Sequence, residues 1–411
     1  MLHRVCVLGG GSFGSAIARI CATSVVSNGL EFERQIPWWV RRSELAAEIN
    51  TSRTNTQYLP GAVLGTNLVA TTDAASAVAD ASLVIVAVPH EFFGETLTPA
   101  VASALRPDAV VLSLVKSLHF DASTGGLSLA STEISQLLGC SSAGGVMLAR
   151  RLCVLMGPNL YKEMLDDDGF AEATIGYDDS TPDGRAAAAL VQRALSTPCF
   201  ATSPVAGRAA VESCGALKNV VAIGVGFADG SGHGANTRAA LIRVGLGEMS
   251  RFAATFLGAE TDDGAARHPV FYGEACGLGD LVLTCTAGRG RLLAAAFVER
   301  GGGGDDAGCD DARETVAMAS AARWAALENE MFDGMKLPDW HSVRAVQRVI
   351  AQHDAAESFP LFSAIAAVSF DGAPASAVVD ALRRAAITTA PPPTAAAPLP
   401  LPSSSLRQST A

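Results

Sequence analysis

A glycine cluster close to the N-terminus constrains the fold more than any other feature of this 411-residue chain. The stretch LGGGSFG places Gly9, Gly11 and Gly14 in the spacing G-x-G-x-x-G, directly after the apolar run RVCVL and directly before a helical pattern. In that context the first glycine permits a tight turn, the second lets the backbone approach a pyrophosphate, and the third lets helix and strand pack closely. The motif therefore predicts a dinucleotide-binding βαβ unit.

Further apolar runs of strand length follow the glycine cluster. They read IPWWV, LVIVAV, AVVLSLV and LCVLMG, and helical segments separate them. Continuous apolar runs are typical of strands that are buried on both faces, as in a doubly wound parallel sheet. We therefore predict an α/β fold whose N-terminal domain, residues 1–203, is a Rossmann-like doubly wound sheet.

Strand signals stop after about Ser203, and the chain becomes mostly helical. Residues 204–389 are predicted to form an all-α C-terminal domain that carries the substrate site. The tail, residues 390–411, is rich in Pro, Ala and Ser, and it is predicted to be disordered because it cannot bury enough apolar area to offset its ordering entropy. The predicted helices cover 205–228, 236–257, 313–329 and 339–352, and another starts near Gly279.

Composition limits the classes of partner. The net charge of −11 disfavours nucleic acid and anionic membranes, and no apolar run approaches the roughly 20 residues of a membrane helix, so no membrane insertion is expected. Nine cysteines without a C-x-x-C spacing favour a reducing compartment. No ligand spacing for a metal is found. We expect a cytoplasmic protein that binds small molecules.

The second predicted strand ends in Arg41 and Arg42, where a dinucleotide-binding unit usually carries an acidic residue. An arginine at this place pairs the 2′-phosphate of NADPH, stacks on an adenine, or stays solvated. The residues alone leave these three interpretations open. NAD is the expected cofactor, and NADP is not excluded.

The stretch GALKNVVAIGVGFADG places Lys218 and Asn219 among small and apolar residues. Lysine is rarely fully buried. One interpretation is a lysine that extends its ammonium group from the edge of a helix. The other is a catalytic lysine, because desolvation and positive neighbours lower its pKa and let it exchange a proton with a hydroxyl group during carbonyl–alcohol interconversion.

The segment GLGDLVLTCTAGRGR supplies a carboxylate and two cations. Asp280 and Thr284 are four residues apart and therefore share one helical face. Arg289 and Arg291 follow, and arginine binds phosphate through two parallel hydrogen bonds. Asp280 either orients the lysine or caps a helix.

These motifs resemble the family of NAD-dependent glycerol-3-phosphate dehydrogenases over roughly residues 4–385. GALKNVVAIGVG is similar to the family's lysine-bearing signature almost letter for letter, and VAVPHEFFG, SLVKSL, CGLGDLVLTC and FPLFSAI fall in the family's order. The resemblance implies reversible reduction of dihydroxyacetone phosphate to sn-glycerol 3-phosphate by NADH, usually in a homodimer.

The resemblance also implies a role for each matching residue. The catalytic group would be Lys218, the general acid and base, with Lys116 and Asp280. The substrate and its phosphate would be held by Lys116, Asn219, Thr284 and Arg289. The residues beside the cofactor would be Gly9, Gly10, Gly11, Ser12, Phe13, Gly14, Arg41, Phe92, Lys116, Tyr161, Arg289 and Lys336.

Two segments differ from the family's pattern. The sequence RGR at 289–291 replaces the usual Arg-Asn-Arg, so an asparagine that contacts the phosphate is missing. GMKLP at 334–338 keeps the lysine of the animal-type loop and loses both glutamines. These changes leave two alternatives open: a related lysine-dependent reductase of another small anionic substrate, and a catalytically silent dinucleotide-binding subunit that senses redox state.

Overall fold

The described part of the chain forms a sheet domain followed by a helical domain, which confirms the predicted fold class. The predicted tail lies outside it. A computed structural model describes residues 2–120, 126–139, 145–166, 168–259, 268–301, 313–333, 337 and 339–388.

Eight strands form the main sheet, and two form a separate antiparallel pair. The main sheet contains β1 Val5–Leu8, β2 Ile36–Trp39, β3 Leu68–Thr71, β4 Leu83–Val86, β5 Val110–Ser113, β8 Leu152–Met156, β9 Ala171–Tyr177 and β10 Phe200–Ala206; the pair is β6 Leu118–Phe120 and β7 Leu127–Leu129. The order in the main sheet is β10-β9-β8-β5-β4-β1-β2-β3. Neighbours are parallel except β8 and β9. Strands β3, β9 and β10 escape prediction because exposed or polar residues interrupt the apolar run of each one.

The chain reverses its direction of winding beside β1. From β1 it proceeds outward through β2 to β3, and it then returns to the other side of β1 to form β4 and β5. Ligands of such sheets bind in the crevice at the carboxyl ends of the strands, at this switch point. The glycine cluster follows β1 directly, so the topology places it at that crevice.

Helices cover the sheet and form the second domain. The first set is α1 Ser12–Ser27, α2 Ser43–Ser52, α3 Ala74–Val78, α4 Phe93–Thr96, α5 Pro99–Ala104, α6 Ala130–Gly139, α7 Gly145–Arg150 and α8 Pro182–Leu195. The second set is α9 Arg208–Gly230, α10 Ala235–Phe256, α11 Pro269–Gly273, α12 Asp280–Ala287, α13 Arg289–Glu299, α14 Arg313–Phe332, α15 Asp339–Gln352, α16 Pro360–Phe370 and α17 Ser376–Thr388. The last strand extends three residues beyond Ser203, so the change from sheet to helices occurs at Gly207.

Helix α9 is the centre of the helical domain. It packs against α10, α12, α13 and α15 as well as against β8 and β9 of the sheet. Its length and composition would suffice to cross a membrane, but its whole apolar window is buried inside the protein. α12 and α13 would pass the same test only as one span, and they are bent by 44°. We interpret α9 as a core helix, and it carries Lys218.

Candidate active site

The glycine loop brings α1 close to the ends of β1 and β4. Gly9 has a φ of +121°, and a Cβ there would lie 2.7 Å from the carbonyl oxygen of Ala87. A Cβ at Gly14 would lie 2.6 Å from the carbonyl oxygen of Gly9. Side chains at these two positions would push the helix away from the sheet. The sequence pattern and the backbone geometry therefore agree.

The N-terminus of α1 faces an open cleft. Among the described residues no side chain caps this helix, and no atom lies within 4 Å of the Cβ position of Gly11. Free amides at a helix N-terminus bind anions such as the pyrophosphate of a dinucleotide. The loop thus fits the expected cofactor. The cleft has a volume of about 260 Å³ and is lined by Gly9, Gly10, Gly11, Trp39, Arg41, Arg42, Leu45, Tyr58, Ala87, Val88, Pro89, Phe92, Glu95 and Thr96.

Side chains hold the carbonyl groups of the glycine loop, among them Ser15, whose hydroxyl donates to the oxygen of Gly10 over 3.2 Å. The indole N–H of Trp38 donates to the oxygen of Gly9 over 2.9 Å, and the amide of Asn55 donates to the oxygen of Gly10 over 3.0 Å. The N–H of Gly9 donates to the oxygen of Trp39 over 3.0 Å, so the amides left for a ligand are those that follow it at the start of α1. Sequence reasoning missed Asn55, because nothing near it in the chain marks a polar residue that reaches back to position 10.

Arg41 and Phe92 meet across the cleft. The guanidinium carbon of Arg41 lies 4.8 Å from the centre of the Phe92 ring, a cation–π contact. Arg42 instead donates a hydrogen bond to Gln57. The two arginines therefore differ in partner, and Arg41 is the one placed on an aromatic wall of the cleft.

Lys116 lies where the sheet meets the helical domain. Ser113 of β5 pairs with Val86 of β4, so Lys116 is at the same sheet edge as the cleft residue Pro89. Its ammonium group donates to the oxygen of Gly157 over 3.1 Å and to Oδ2 of Asp280 over 2.9 Å. Lys116 thus links the edge of the cleft to α12.

Asp280 joins both lysines. Its Oδ1 lies 2.5 Å from Nζ of Lys218, while its Oδ2 accepts from Lys116. Asp280 follows a π-helical turn, Ala275–Gly279, and is the first residue of α12, whose N-cap is Gly279. π-helical turns occur frequently at functional sites. The alternative in which Asp280 only caps a helix is therefore wrong, and Lys116, Lys218 and Asp280 form what we call the reaction cluster.

The reaction cluster perturbs the pKa of Lys218. Burial lowers this pKa to about 8; the Asp280 carboxylate opposes the change, and the Lys116 ammonium adds to it. Burial alone would raise the pKa of Asp280, but the two ammonium groups outweigh it and keep that pKa below its ordinary value. The cluster therefore holds a permanent carboxylate beside a lysine that exchanges its proton near neutral pH.

Three of the predicted substrate residues lie on α9, α12 and α13. Thr284, one turn after Asp280, donates its hydroxyl to the main-chain oxygen of Asp280 over 2.7 Å. Asn219 is buried beside Lys218 on α9, and Arg289 is the first residue of α13. Arg291 is bound to Asp229 over 2.5 Å. Its guanidinium therefore has a structural partner.

Of the predicted cofactor residues, Gly9, Gly10, Gly11, Arg41 and Phe92 line the glycine-loop cleft. Tyr161 lines a separate cleft with Arg19, Leu59 and Pro60. Lys336 lies outside the described residues. Ser12 and Phe13 form the start of α1, as expected from the glycine motif.

A cluster of possible metal ligands lies beside Phe92. The donor atoms of His90, His119 and Glu133 are within 4.8 Å of one another. However, Nε2 of His90 is 2.5 Å from Oε2 of Glu133, whereas two ligands of one tetrahedral zinc are separated by about 3.3 Å at ordinary bond lengths. The structure therefore shows a direct His90–Glu133 hydrogen bond here.

Comparisons with known proteins match both domains. Residues 4–182 match the family model of the NAD-dependent glycerol-3-phosphate dehydrogenase N-terminus, and residues 208–380 match that of the C-terminus. The human glycerol-3-phosphate dehydrogenase [NAD(+)], cytoplasmic, is 34% identical over 92% of this chain and 97% of its own. The glycerol-3-phosphate dehydrogenase [NAD(+)] of Cuphea lanceolata is 34% identical over 92% and 91%.

Solved structures show the same likeness. The glycerol-3-phosphate dehydrogenase of Plasmodium falciparum has a TM-score of 0.77 at 28% identity, covering 92% of this chain and 95% of that one. The yeast Saccharomyces cerevisiae enzyme has a TM-score of 0.76 at 27% identity, covering 93% and 99%. The likeness therefore extends over both domains.

Proposed function

The chain belongs to the family of NAD-dependent glycerol-3-phosphate dehydrogenases, and on that premise we propose that Lys218 is the general acid and base of its reaction. The enzyme interconverts dihydroxyacetone phosphate and sn-glycerol 3-phosphate, and NAD(H) supplies or accepts the hydride. The observation that carries the proposal is the contact of Lys218 with Asp280, which also binds Lys116 at the edge of the glycine-loop cleft.

Lys218 has a protonation equilibrium suited to both directions. In the reduction its ammonium group donates a proton to the carbonyl oxygen of dihydroxyacetone phosphate. In the oxidation its neutral amine removes the proton of the alcohol. A pKa of about 8 populates both forms near neutral pH. Asp280 orients the amine, while burial, assisted by Lys116, keeps the pKa of Lys218 low.

The remaining residues divide between substrate and cofactor. We propose that Arg289 binds the phosphate, and that Asn219 and Thr284 complete the substrate site with Lys116. The amides of the glycine loop would hold the pyrophosphate of NAD. Arg41, supported by Phe92, would lie beside the adenosine, and Lys336 would be a further cofactor contact.

We also propose a cytoplasmic homodimer. The helical domain exposes the large apolar side chains of Tyr272, Leu278, Val282 and Leu292, which supports an interface on that domain. Relatives named cytoplasmic support the location. Light scattering coupled to size-exclusion chromatography tests the assembly, and a monomer at working concentration would contradict it.

The direct test of the function is the oxidation of NADH, and of NADPH in parallel, with dihydroxyacetone phosphate at neutral pH. Turnover with NADH is expected. The ratio of the two rates decides whether Arg41 accommodates a 2′-phosphate. Cofactor binding without turnover of this substrate would instead favour a redox-sensing subunit or a reductase of another anion.

A further inference from the structure

The carboxyl group of Asp339 occupies the space that a side chain at position 290 would need. A Cβ at Gly290 would lie 2.0 Å from Oδ1 of Asp339, 2.4 Å from its Cγ and 2.8 Å from its Cβ. Only a residue without a side chain fits at 290 unless Asp339 moves. Position 290 is also where the sequence departs from the family's Arg-Asn-Arg pattern.

Asp339 lies among charged groups of the reaction site. It is the first residue of α15 and is only 7% exposed. The charges that act on it are those of Lys218 on α9, Arg289 on α13 and Glu328 on α14. Glu328 is itself buried and accepts a hydrogen bond from the indole of Trp340 over 3.0 Å. The space beside Gly290 is therefore filled by a polar side chain from another helix, and this side chain is an acid rather than an amide.

We propose that Asp339 takes the place of the missing asparagine as a substrate-contacting residue, and that the substrate's phosphate binds when the Asp339 carboxyl is protonated. The inference rests on the proposed function, since it places the phosphate at Arg289. A carboxylate beside a phosphate dianion is repelled, whereas a carboxylic acid donates one O–H hydrogen bond, as an amide donates an N–H. Asp339 would thus set how phosphate affinity depends on pH.

The ionisation of Asp339 determines the direction in which the KM for dihydroxyacetone phosphate changes with pH. Burial raises the pKa of Asp339 to about 6, although Lys218 and Arg289 oppose the rise. Below that pH the group is neutral and compatible with the phosphate. Above it, binding must take up a proton, so the KM for dihydroxyacetone phosphate rises by up to about tenfold per pH unit.

The variant Asp339→Asn separates charge from shape. It keeps the size and a hydrogen-bond donor and removes the ionisation. We expect a KM at pH 8 that is lower than that of the wild type by ten- to about a hundredfold, and a kcat changed less than about threefold, since Asp339 does not exchange the reacting proton. The second ionisation of the substrate's phosphate is common to both proteins and cancels in their ratio.

A second set of variants tests whether positions 290 and 339 share one space. Gly290→Asn alone is expected to raise the KM by at least tenfold, because its side chain meets Asp339. Gly290→Asn combined with Asp339→Gly removes the overlap and restores the asparagine of the family pattern. We expect the double variant to have a lower KM than Gly290→Asn, and its KM to lose the additional rise with pH. Independent sites do not show such a coupling.

The outcomes distinguish this inference from the proposed function. The inference is wrong if Asp339→Asn shows the same KM–pH curve as the wild type, or if the KM of the double variant is no lower than that of Gly290→Asn. Turnover of dihydroxyacetone phosphate would still support the proposed function in either case. If the wild type does not reduce dihydroxyacetone phosphate, the proposed function fails. Calorimetric titration of the wild type and of Asp339→Asn with inorganic phosphate at pH 5.5 and pH 8 then still tests Asp339. The ratio of the two affinities cancels the ionisation of phosphate, and the wild type should lose affinity relative to the variant at the higher pH.

Discussion

The glycine-loop cleft and the reaction cluster lie at the same edge of the sheet, but they are built from different parts of the chain. The cleft is shaped by main-chain groups within a few residues of one another, such as Gly9 and Gly14. The reaction cluster is made by three side chains that come from residues 116, 218 and 280. A backbone site depends on the absence of side chains, whereas the reaction cluster depends on buried charges that only the complete fold brings together.

The two regions also differ in charge, and therefore in the effect of removing a residue. Two ammonium groups share one buried carboxylate in the reaction cluster, so the site keeps a net positive charge in a chain whose net charge is −11. That local charge suits an anionic substrate. Removing Asp280 leaves two ammonium groups without their shared carboxylate, whereas removing one lysine leaves a balanced ion pair.

Lys218→Ala should have the largest effect. It removes the proton donor, so kcat should fall by about 10²- to 10⁴-fold while the dissociation constant of NADH stays within about twofold. Lys162→Ala, an exposed lysine outside both regions, is the matched control. A raised KM with an unchanged kcat would make Lys218 a binding residue, and the reaction cluster would then not differ from the cleft in its role.

Asp280→Asn should have the second-largest effect. Loss of the carboxylate leaves two buried ammonium groups unbalanced, so the free energy of unfolding should fall by about 3–5 kcal/mol. In the wild type, reduction should decline and oxidation should rise as pH increases through about 8, since Lys218 loses its proton there. Both midpoints should move to lower pH in the variant, because the carboxylate favours the ammonium form. An unshifted pH profile would contradict the coupling.

Gly14→Ala tests the backbone region. The added Cβ would meet the Gly9 oxygen, so the free energy of unfolding should fall by about 1–3 kcal/mol and the KM for NADH should rise. Gly11→Ala is the matched comparison, since no described atom lies near its Cβ position. It should weaken NADH binding with little change in Tm. Equal Tm losses in both variants would mean that Gly11 is also packed against protein.

Arg41→Ala should have the smallest effect. The lost contact with Phe92 and with the cofactor is worth about 0.5–1 kcal/mol, or a two- to fivefold rise in the KM for NADH. The ratio of NADPH to NADH turnover should stay constant if Arg41 stacks on the adenosine. A selective loss of NADPH turnover would instead show that it binds a 2′-phosphate.

Local pattern explains which elements could be predicted. The glycine motif, the apolar strands and the long helices are encoded by neighbouring residues, and their positions are confirmed within a few residues. Strands β3, β9 and β10 were not predicted, because exposed or polar residues interrupt their apolar runs. The support of the glycine loop by Asn55 was hidden because it spans 45 residues of sequence.

The sequence by itself determined the family, the two-domain fold and the residues of the reaction cluster, because these depend on motifs with fixed local spacing. Tertiary structure alone decided that Asp280 contacts both lysines, that Arg291 is bound to Asp229, and that Asp339 lies against Gly290. The physical reason is that burial and electrostatic interaction depend on distances through space. In the sequence, Gly290 is only the loss of the family's asparagine. In the structure, the absence of a side chain at Gly290 leaves the space that Asp339 fills.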